Sequence, residues 1–225
     1  MPPCTPVEVM PRPIGQAVAD LPYWFVIGGQ AMRCLCPYRP SRDVDFGVTT
    51  AQDLEDLVGQ LQRRGHVEIT ERADNTVHLR FDGIDVSIFV LTRLTPFVSD
   101  RRLTVTGLLA TKLHAVLDRG TRRDFFDLYV LLHRHTLGIA ECLASMRQVY
   151  KQEVNDGLLL RALTYFDDAD REAGLPGEGP ADWETVKDFF WSRVGQLLIP
   201  PSRELDIARR IVDVNPALPG WQRQQ

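Results

Sequence analysis

The chain has 225 residues, 44% of them hydrophobic and 25% charged, with a formal net charge of −4. That is an ordinary globular composition, and its negative balance argues against wholesale coating of nucleic acid while leaving room for a local basic strip. No run approaches the roughly 18 apolar residues of a membrane span, no basic segment leads into an apolar N-terminal run, and Cys4, Cys34, Cys36 and Cys142 are too few and too irregular for a disulfide framework or a zinc set, so a cytoplasmic location is expected.

Taken in chain order, residues 1–13 are proline-rich and read as a loose lead-in, and residues 14–21 as a short helix. Residues 23–27 (Tyr-Trp-Phe-Val-Ile) have the length and composition of a strand, which Gly28-Gly29 ends; Ala31, Met32 and Leu35 then mark a helix. Two glycines at a strand-to-helix turn let backbone approach a ligand closely, and the helix N-terminus offers free N–H groups to phosphate. In Arg42-Asp43-Val44-Asp45-Phe46 the period of two puts Asp43 and Asp45 on one face and Val44 and Phe46 toward an apolar interior. Neighbouring carboxylates repel each other, and a hard cation such as Mg²⁺ relieves that repulsion.

An amphipathic helix over 53–64 and strands over 66–70, 77–81 and 84–90 follow, the last two joined by an Asp82-Gly83 hairpin turn. Asp85 shares its face with Ser87 and Phe89. A carboxylate in such an apolar strand needs a reason, either metal or proton chemistry or a structural partner such as Arg80. After a strand at 103–105 the pattern turns helical, over 107–117, 124–135, 139–150 and 158–166. Lys112 interrupts the apolar face of Leu108, Leu109, Leu113 and Val116, a place that invites a phosphate partner. Arg119, Arg122 and Arg123 cluster before Asp124, a residue suited to capping the next helix. Residues 174–180 form a break, 182–198 a helix closed by Pro200-Pro201, 203–214 a further helix and 215–225 a tail. Phe189, Phe190 and Trp191 read as packing between helices, and Asp167, Asp168 and Asp170 as a solvated helix end.

Gly28-Gly29, then Arg39-Pro40-Ser41-Arg42-Asp43-Val44-Asp45-Phe46, then Ile84-Asp85-Val86 together resemble the polymerase-β-type nucleotidyltransferase core. The stretch from Leu108 to Ala115, with Lys112 within it, and the following Arg119-Gly120-Thr121-Arg122-Arg123-Asp124-Phe125-Phe126-Asp127-Leu128-Tyr129 is similar to the downstream signature of the AbiEii/AbiGii-type toxin nucleotidyltransferases. The resemblance runs from about residue 22 to residue 135. It implies an α/β (α+β) fold, with a polymerase-β-like core and mixed sheet over 14–106 and a helical C-terminal region over 107–214 that completes the nucleotide site. It implies metal-dependent transfer of a nucleoside monophosphate from an NTP to an acceptor hydroxyl. The catalytic residues would be Asp43, Asp45, Asp85, Lys112 and Asp124. The first three would hold two Mg²⁺ ions, and Gly28, Gly29, Arg39, Ser41, Lys112 and Asp127 would hold the nucleotide. One of Asp124 and Asp127 would orient Lys112 or serve the catalytic centre, and Asp124 is the favoured one.

The acceptor implied by the resemblance is RNA or tRNA, the role that of a toxin in a bacterial toxin–antitoxin or phage-defence system, and the protein partner a separately encoded antitoxin; no DNA or membrane partner is expected. Arg33, Arg39, Arg42 and the arginines at 119–123 are the candidates for holding an RNA end. Two other readings stand beside this one. An aminoglycoside-type small-molecule transferase would need an acidic acceptor cleft, for which Asp167 to Asp170 and Glu172 are the candidates. A non-catalytic nucleotide-binding protein would keep the same fold, but the presence of all three carboxylates and Lys112 argues against it.

Overall fold

The computed structural model describes residues 4–151, 155–179 and 182–198; the helix expected at 203–214 and the tail lie outside them. The stretch expected to be a loose lead-in holds a short helix, α1 (Pro6–Val9), and then α2 (Arg12–Val18). Proline suits the first helical position because its missing N–H would have no partner there, and Glu8 accepts from the Thr5 amide at 2.8 Å to close the turn. Val9 and Met10 are buried, and the Val9 carbonyl accepts from the Arg33 guanidinium, so the lead-in is fixed to the fold.

The apolar run at Trp24–Val26 forms β1, and α3 (Gly28–Leu35) begins two residues later. The D-x-D segment supplies β2 (Val44–Val48), which starts just after Asp43; α4 (Ala51–Arg64) follows, opened by a capping box of Thr50 and Asp53. Then come β3 (Val67–Ala73), β4 (Thr76–Phe81) and β5 (Ile84–Val90). The β4–β5 turn has positive φ at both Asp82 (49°) and Gly83 (81°), the geometry a two-residue hairpin needs to match strand twist. A 3₁₀ turn (Thr92–Phe97) leads into β6 (Val98–Ser99) and β7 (Arg102–Leu103). The expected strand at 103–105 stops at Leu103 because Thr104 caps the next helix, its hydroxyl accepting from the Gly107 amide.

Among the described residues, seven strands form one mixed sheet in the order β3-β4-β5-β2-β1-β7-β6. β2 lies in its middle, antiparallel to β1 and parallel to β5, with Val44 beside Val86 and Asp45 beside Ser87. Val44, Phe46 and Val48 are fully buried, as are Leu57 and Leu61 of α4, which packs on β2 and β5. Removing each such side chain from water contributes about 1.5–3 kcal/mol. The alternation therefore sends Asp45 to the opposite face, on a strand held rigid on both sides.

The rest of the described chain is helical: α5 (Val105–Asp118), α6 (Arg122–Arg134), α7 (Ile139–Tyr150), α8 (Asp156–Ala162), α9 (Asp167–Asp170) and α10 (Asp182–Leu198). α5 packs against α3, α6 and α7, which brings the helical region onto the glycine pair. Phe125 of α6 is fully buried among Phe166, Trp183 and Phe190, with ring centroids 4.9, 5.9 and 5.7 Å away. The aromatic run of α10 divides accordingly: Phe190 is core, Phe189 meets Tyr129 edge-on, and Trp191 is exposed while its indole N–H donates to the Thr164 carbonyl. The architecture is the expected α+β arrangement, a mixed sheet followed by helices.

Candidate active site

The glycine pair touches the D-x-D strand directly. A Cβ on Gly28, whose φ is +54°, would stand 2.2 Å from Asp45 Oδ2, and one on Gly29 would stand 2.3 Å from Ser41 Oγ. Only glycine lets the first turn of α3 lie this close to the carboxylate. The Ile27 amide donates to the Asp45 carbonyl at 2.9 Å, and the buried Gln30 donates from its side-chain amide to the carbonyls of Ser41 (3.3 Å) and Asp43 (3.0 Å). Gln30 thus pins the connection that carries Ser41 and Asp43. Sequence reading passed over it, the available signal being a polar residue on the buried side of α3. Gly28→Ala is expected to keep the fold, checked by circular dichroism, and to slow nucleotidyl transfer about a hundredfold, the cost of displacing a reacting group by about 1 Å.

Asp45 is half-buried and Asp43 exposed. Neither side chain makes a hydrogen bond or ion pair among the described residues. Burial raises the Asp45 carboxyl above the ordinary range, Lys112 pulls it down, Asp43 pushes it up, and Arg123 and Arg119 pull it down. The result is a carboxylate whose upward shift comes first from burial, beside a second carboxylate and near cations that make no ion pair with it. This is the donor set a divalent ion would complete.

Lys112 is buried on α5, and its Nζ meets Asp127 Oδ2 of α6 at 2.5 Å. Asp127 is fully buried and also takes a two-pronged Arg39 guanidinium, Nε to Oδ1 at 2.8 Å and Nη2 to Oδ2 at 2.7 Å; the Tyr38 hydroxyl donates to Oδ1. Burial alone would raise the Asp127 carboxyl, but Lys112 and Arg39 outweigh it and hold the group at about 2. A carboxyl lowered below its unfolded value stabilises the fold above that value and loses the contribution as pH falls through the folded one. The stability supplied by Asp127 is therefore expected to be complete above about pH 4 and to drain away toward pH 2. In urea titrations, the acid loss of stability should be steeper for wild type than for Asp127→Asn.

The structure thus pairs Lys112 with Asp127, whereas the sequence reading favoured Asp124. Asp124 is fully buried one turn earlier on α6, held by Arg119 Nε (2.7 Å) and Nη2 (2.8 Å) and by the Thr121 hydroxyl. Burial opposes its ionisation, but Arg119 and Thr121 lower its carboxyl. Nor is Asp124 the helix cap; Thr121 is, its hydroxyl accepting from the Asp124 amide. Tyr38, which sequence reading also passed over, completes the cage around Asp127. Its only sequence signal is an aromatic residue between Pro37 and Pro40.

Asp85 lies on the Asp45 face of the sheet but is exposed, and Arg80 Nε reaches its Oδ1 at 3.2 Å across the β4–β5 pair. Among the described residues no three His, Cys, Asp or Glu side chains converge as a metal group, so Asp43, Asp45 and Asp85 do not enclose an ion together. Ser87, the register neighbour of Asp45, bonds His78 Nδ1 at 2.9 Å. Of the acids considered for an acceptor cleft, two serve the fold: Asp170 accepts from the Trp183 indole (2.6 Å) and Lys187 (3.2 Å), and Glu172 from the Arg122 amide (3.0 Å). Of the arginines, Arg33, Arg39, Arg119 and Arg122 are engaged by protein groups, while Arg42 and Arg123 are exposed and make no ion pair among the described residues.

The family model for the nucleotidyl transferase AbiEii toxin of type IV toxin–antitoxin systems matches residues 101–192, the stretch that carries Lys112, Asp124 and Asp127. Over that stretch the chain is similar to the AbiEii family. An uncharacterized protein of Aquifex aeolicus is 25% identical over 184 residues, covering 78% of this chain and 88% of that one. Among solved structures, JHP933 of Helicobacter pylori is similar with a TM-score of 0.47 at 16% identity, covering 90% of this chain and 94% of that one. The nucleotidyltransferase toxin MenT4 of Mycobacterium tuberculosis has a TM-score of 0.44 at 12% identity, covering 89% of both chains. The AbiEii match starts at β7 and leaves out the glycine pair and Asp43-Val44-Asp45, which the fold places against the AbiEii helices.

Proposed function

We propose that this chain moves a nucleoside monophosphate from an NTP to a hydroxyl of RNA, with Mg²⁺ held by Asp43 and Asp45. The observation that carries this reading is the approach of the glycine pair to Asp45, in a site whose carboxylates have no contacting cation of their own and whose buried lysine comes from the AbiEii segment. Magnesium is commonly bound by one or two carboxylates with phosphate oxygens and water completing its shell, so two protein ligands suffice. When bound, it would neutralise phosphate charge and acidify the attacking hydroxyl. Asp85 would join the metal site only by leaving Arg80.

On this reading the chain's own groups take the following roles. The backbone at Gly28-Gly29 and the Ser41 hydroxyl lie against the triphosphate, whose β- and γ-phosphates Lys112 draws in. Asp127 and Arg39 keep Lys112 extended and charged, with Asp124 and Arg119 as a second ion pair alongside. The acceptor oxygen attacks the α-phosphorus, and the bond from that phosphorus to the pyrophosphate oxygen breaks. Of the candidate arginines, Arg42 and Arg123, exposed and without an ion pair among the described residues, would hold acceptor phosphates.

An RNA acceptor is favoured over a polycationic small molecule because two of the candidate acids of such a cleft, Asp170 and Glu172, are already engaged by Trp183, Lys187 and Arg122. As for the AbiEii family, a toxin role and an antitoxin partner follow as part of the proposal. No described helix is long and apolar enough to cross a membrane. Incubating the protein with each α-labelled NTP and total bacterial RNA, with Mg²⁺ or with chelator, tests the reading. Label on RNA only with metal is expected; label on a small product, or none, would overturn the RNA assignment.

A further inference from the structure

A cavity of about 270 Å³ opens beside the Lys112–Asp127 pair, between the connection carrying Tyr38 and Arg39, the outer face of α6, and the start of α10 with the loop before it. We propose that this cavity binds a nucleobase. The inference rests on the nucleotidyl-transfer reading and adds to it the place where the base is read.

Three features set the chemistry. Much of the wall is aromatic or apolar: the rings of Tyr38, Phe126 and Tyr129 with Val130 beside them, and Leu175 and Pro176 along the loop side. Tyr129 is held in place by Phe189 edge-on (5.1 Å) and His133 stacked (5.8 Å), so its ring is a fixed part of the wall. Every base has a π-face, and aromatic side chains and arginine planes are the usual platforms for it. The volume lies below the roughly 300–1,000 Å³ of pockets for drug-sized ligands, which suits one heterocycle rather than a multi-ring sugar.

Charge points the same way. The two carboxylates at the rim are already engaged: Glu178 takes the Arg122 guanidinium and the Leu175 amide, and Asp182 takes the Gly179 amide. The cavity is therefore not an acidic cleft awaiting a polycation. Its position links it to the chemistry, since Tyr38 and Arg39 line it and both bond Asp127, which holds Lys112. A base seated there is separated from the phosphate-directed lysine by one layer of side chains, and it packs on the same connection that carries Ser41 and Asp43.

The base could belong to the donor NTP or to the acceptor RNA, and binding measurements separate the two. Equilibrium dissociation constants would be measured for a non-hydrolysable NTP, for a short single-stranded oligoribonucleotide and for inorganic tripolyphosphate, on wild type, Val130→Trp, which fills the cavity, and Tyr129→Leu, which keeps apolar volume but removes the π-face. Unchanged tripolyphosphate binding reports an intact fold and phosphate site. We expect both variants to weaken either the NTP or the oligoribonucleotide by about tenfold or more, on the scale of losing one stacking platform. Loss of NTP binding assigns the cavity to the donor base, and loss of RNA binding assigns it to the acceptor base. Both ligands binding both variants as they bind wild type would overturn the proposal. Failure of the transferase reading would appear separately, as nucleotide binding by wild type without transfer.

Discussion

Asp45→Asn is expected to slow nucleotidyl transfer by at least about a thousandfold, the scale of losing one group that stabilises transition-state charge, while leaving the fold intact or slightly more stable. The two halves of that expectation have one cause. Burial and the neighbouring Asp43 raise the Asp45 carboxyl against the pull of Lys112. A group whose folded pKa lies above its unfolded one stabilises the fold only below the unfolded value, and the contribution is lost as pH rises through the folded value. At neutral pH in the absence of divalent metal, ionised Asp45 therefore works against folding, and a neutral isostere removes the opposition. Melting curves in chelator at pH 7 check this half: a melting temperature for Asp45→Asn equal to or above that of wild type is expected. A clear fall would mean that Asp45 is a structural anchor.

Asp127→Ala is expected to do the reverse and unfold the site. Asp127 is fully buried and balances two cations, Lys112 and Arg39, whose own side chains are nearly buried. Removing one member of a buried ion pair strands the other charge at a cost of about 3–5 kcal/mol. In a chain of this size each kcal/mol shifts the melting temperature by about 2–4 °C, so a fall on the order of 10 °C is expected, together with loss of transfer. Combining Asp127→Leu with Lys112→Met should restore part of the stability, because no buried lysine is then left unpaired, yet should not restore activity. Recovery of activity in that double variant would show that Lys112 has no role beyond packing.

The contrast between Asp124 and Asp127 marks where sequence reasoning ran out. Both stand near the start of α6, three residues apart, both are buried, and each has found a cation. For Asp124 that cation is Arg119, five residues away and visible in the same stretch of sequence. For Asp127 it is Lys112 on the preceding helix and Arg39 from a loop 88 residues earlier, a contact that the packing of α5 on the glycine-pair helix and of α6 on α5 creates. Helical periodicity placed Lys112 correctly as a charge on an apolar face but said nothing about which acid would face it.

Strand periodicity did better because its period of two leaves little freedom. It put Val44 and Phe46 into the core and Asp45 on the other face, and it grouped Asp85 with Ser87 and Phe89, whose face the β2–β5 register then joins to that of Asp45. What it could not decide was the direction of the Asp85 carboxylate, which the cross-strand Arg80 takes. The proline-rich start misled for a related reason: proline signals a break within an element, but at the first position of a helix it fits, and Pro6 starts α1. Gln30 and Tyr38 carried no pattern, and their roles depend on carbonyls and a carboxylate supplied from elsewhere in the chain.

The claim that the glycine pair, Asp45 and Lys112 form one nucleotide-handling site is tested most directly by single-turnover transfer from an α-labelled NTP to RNA in Mg²⁺, comparing wild type, Asp45→Asn and Lys112→Met at matched folded fractions. Transfer by wild type, with both variants slowed by several hundredfold or more, on the scale of losing one electrostatic partner of the transition state, is the predicted result. Transfer by Asp45→Asn at the wild-type rate would contradict the account.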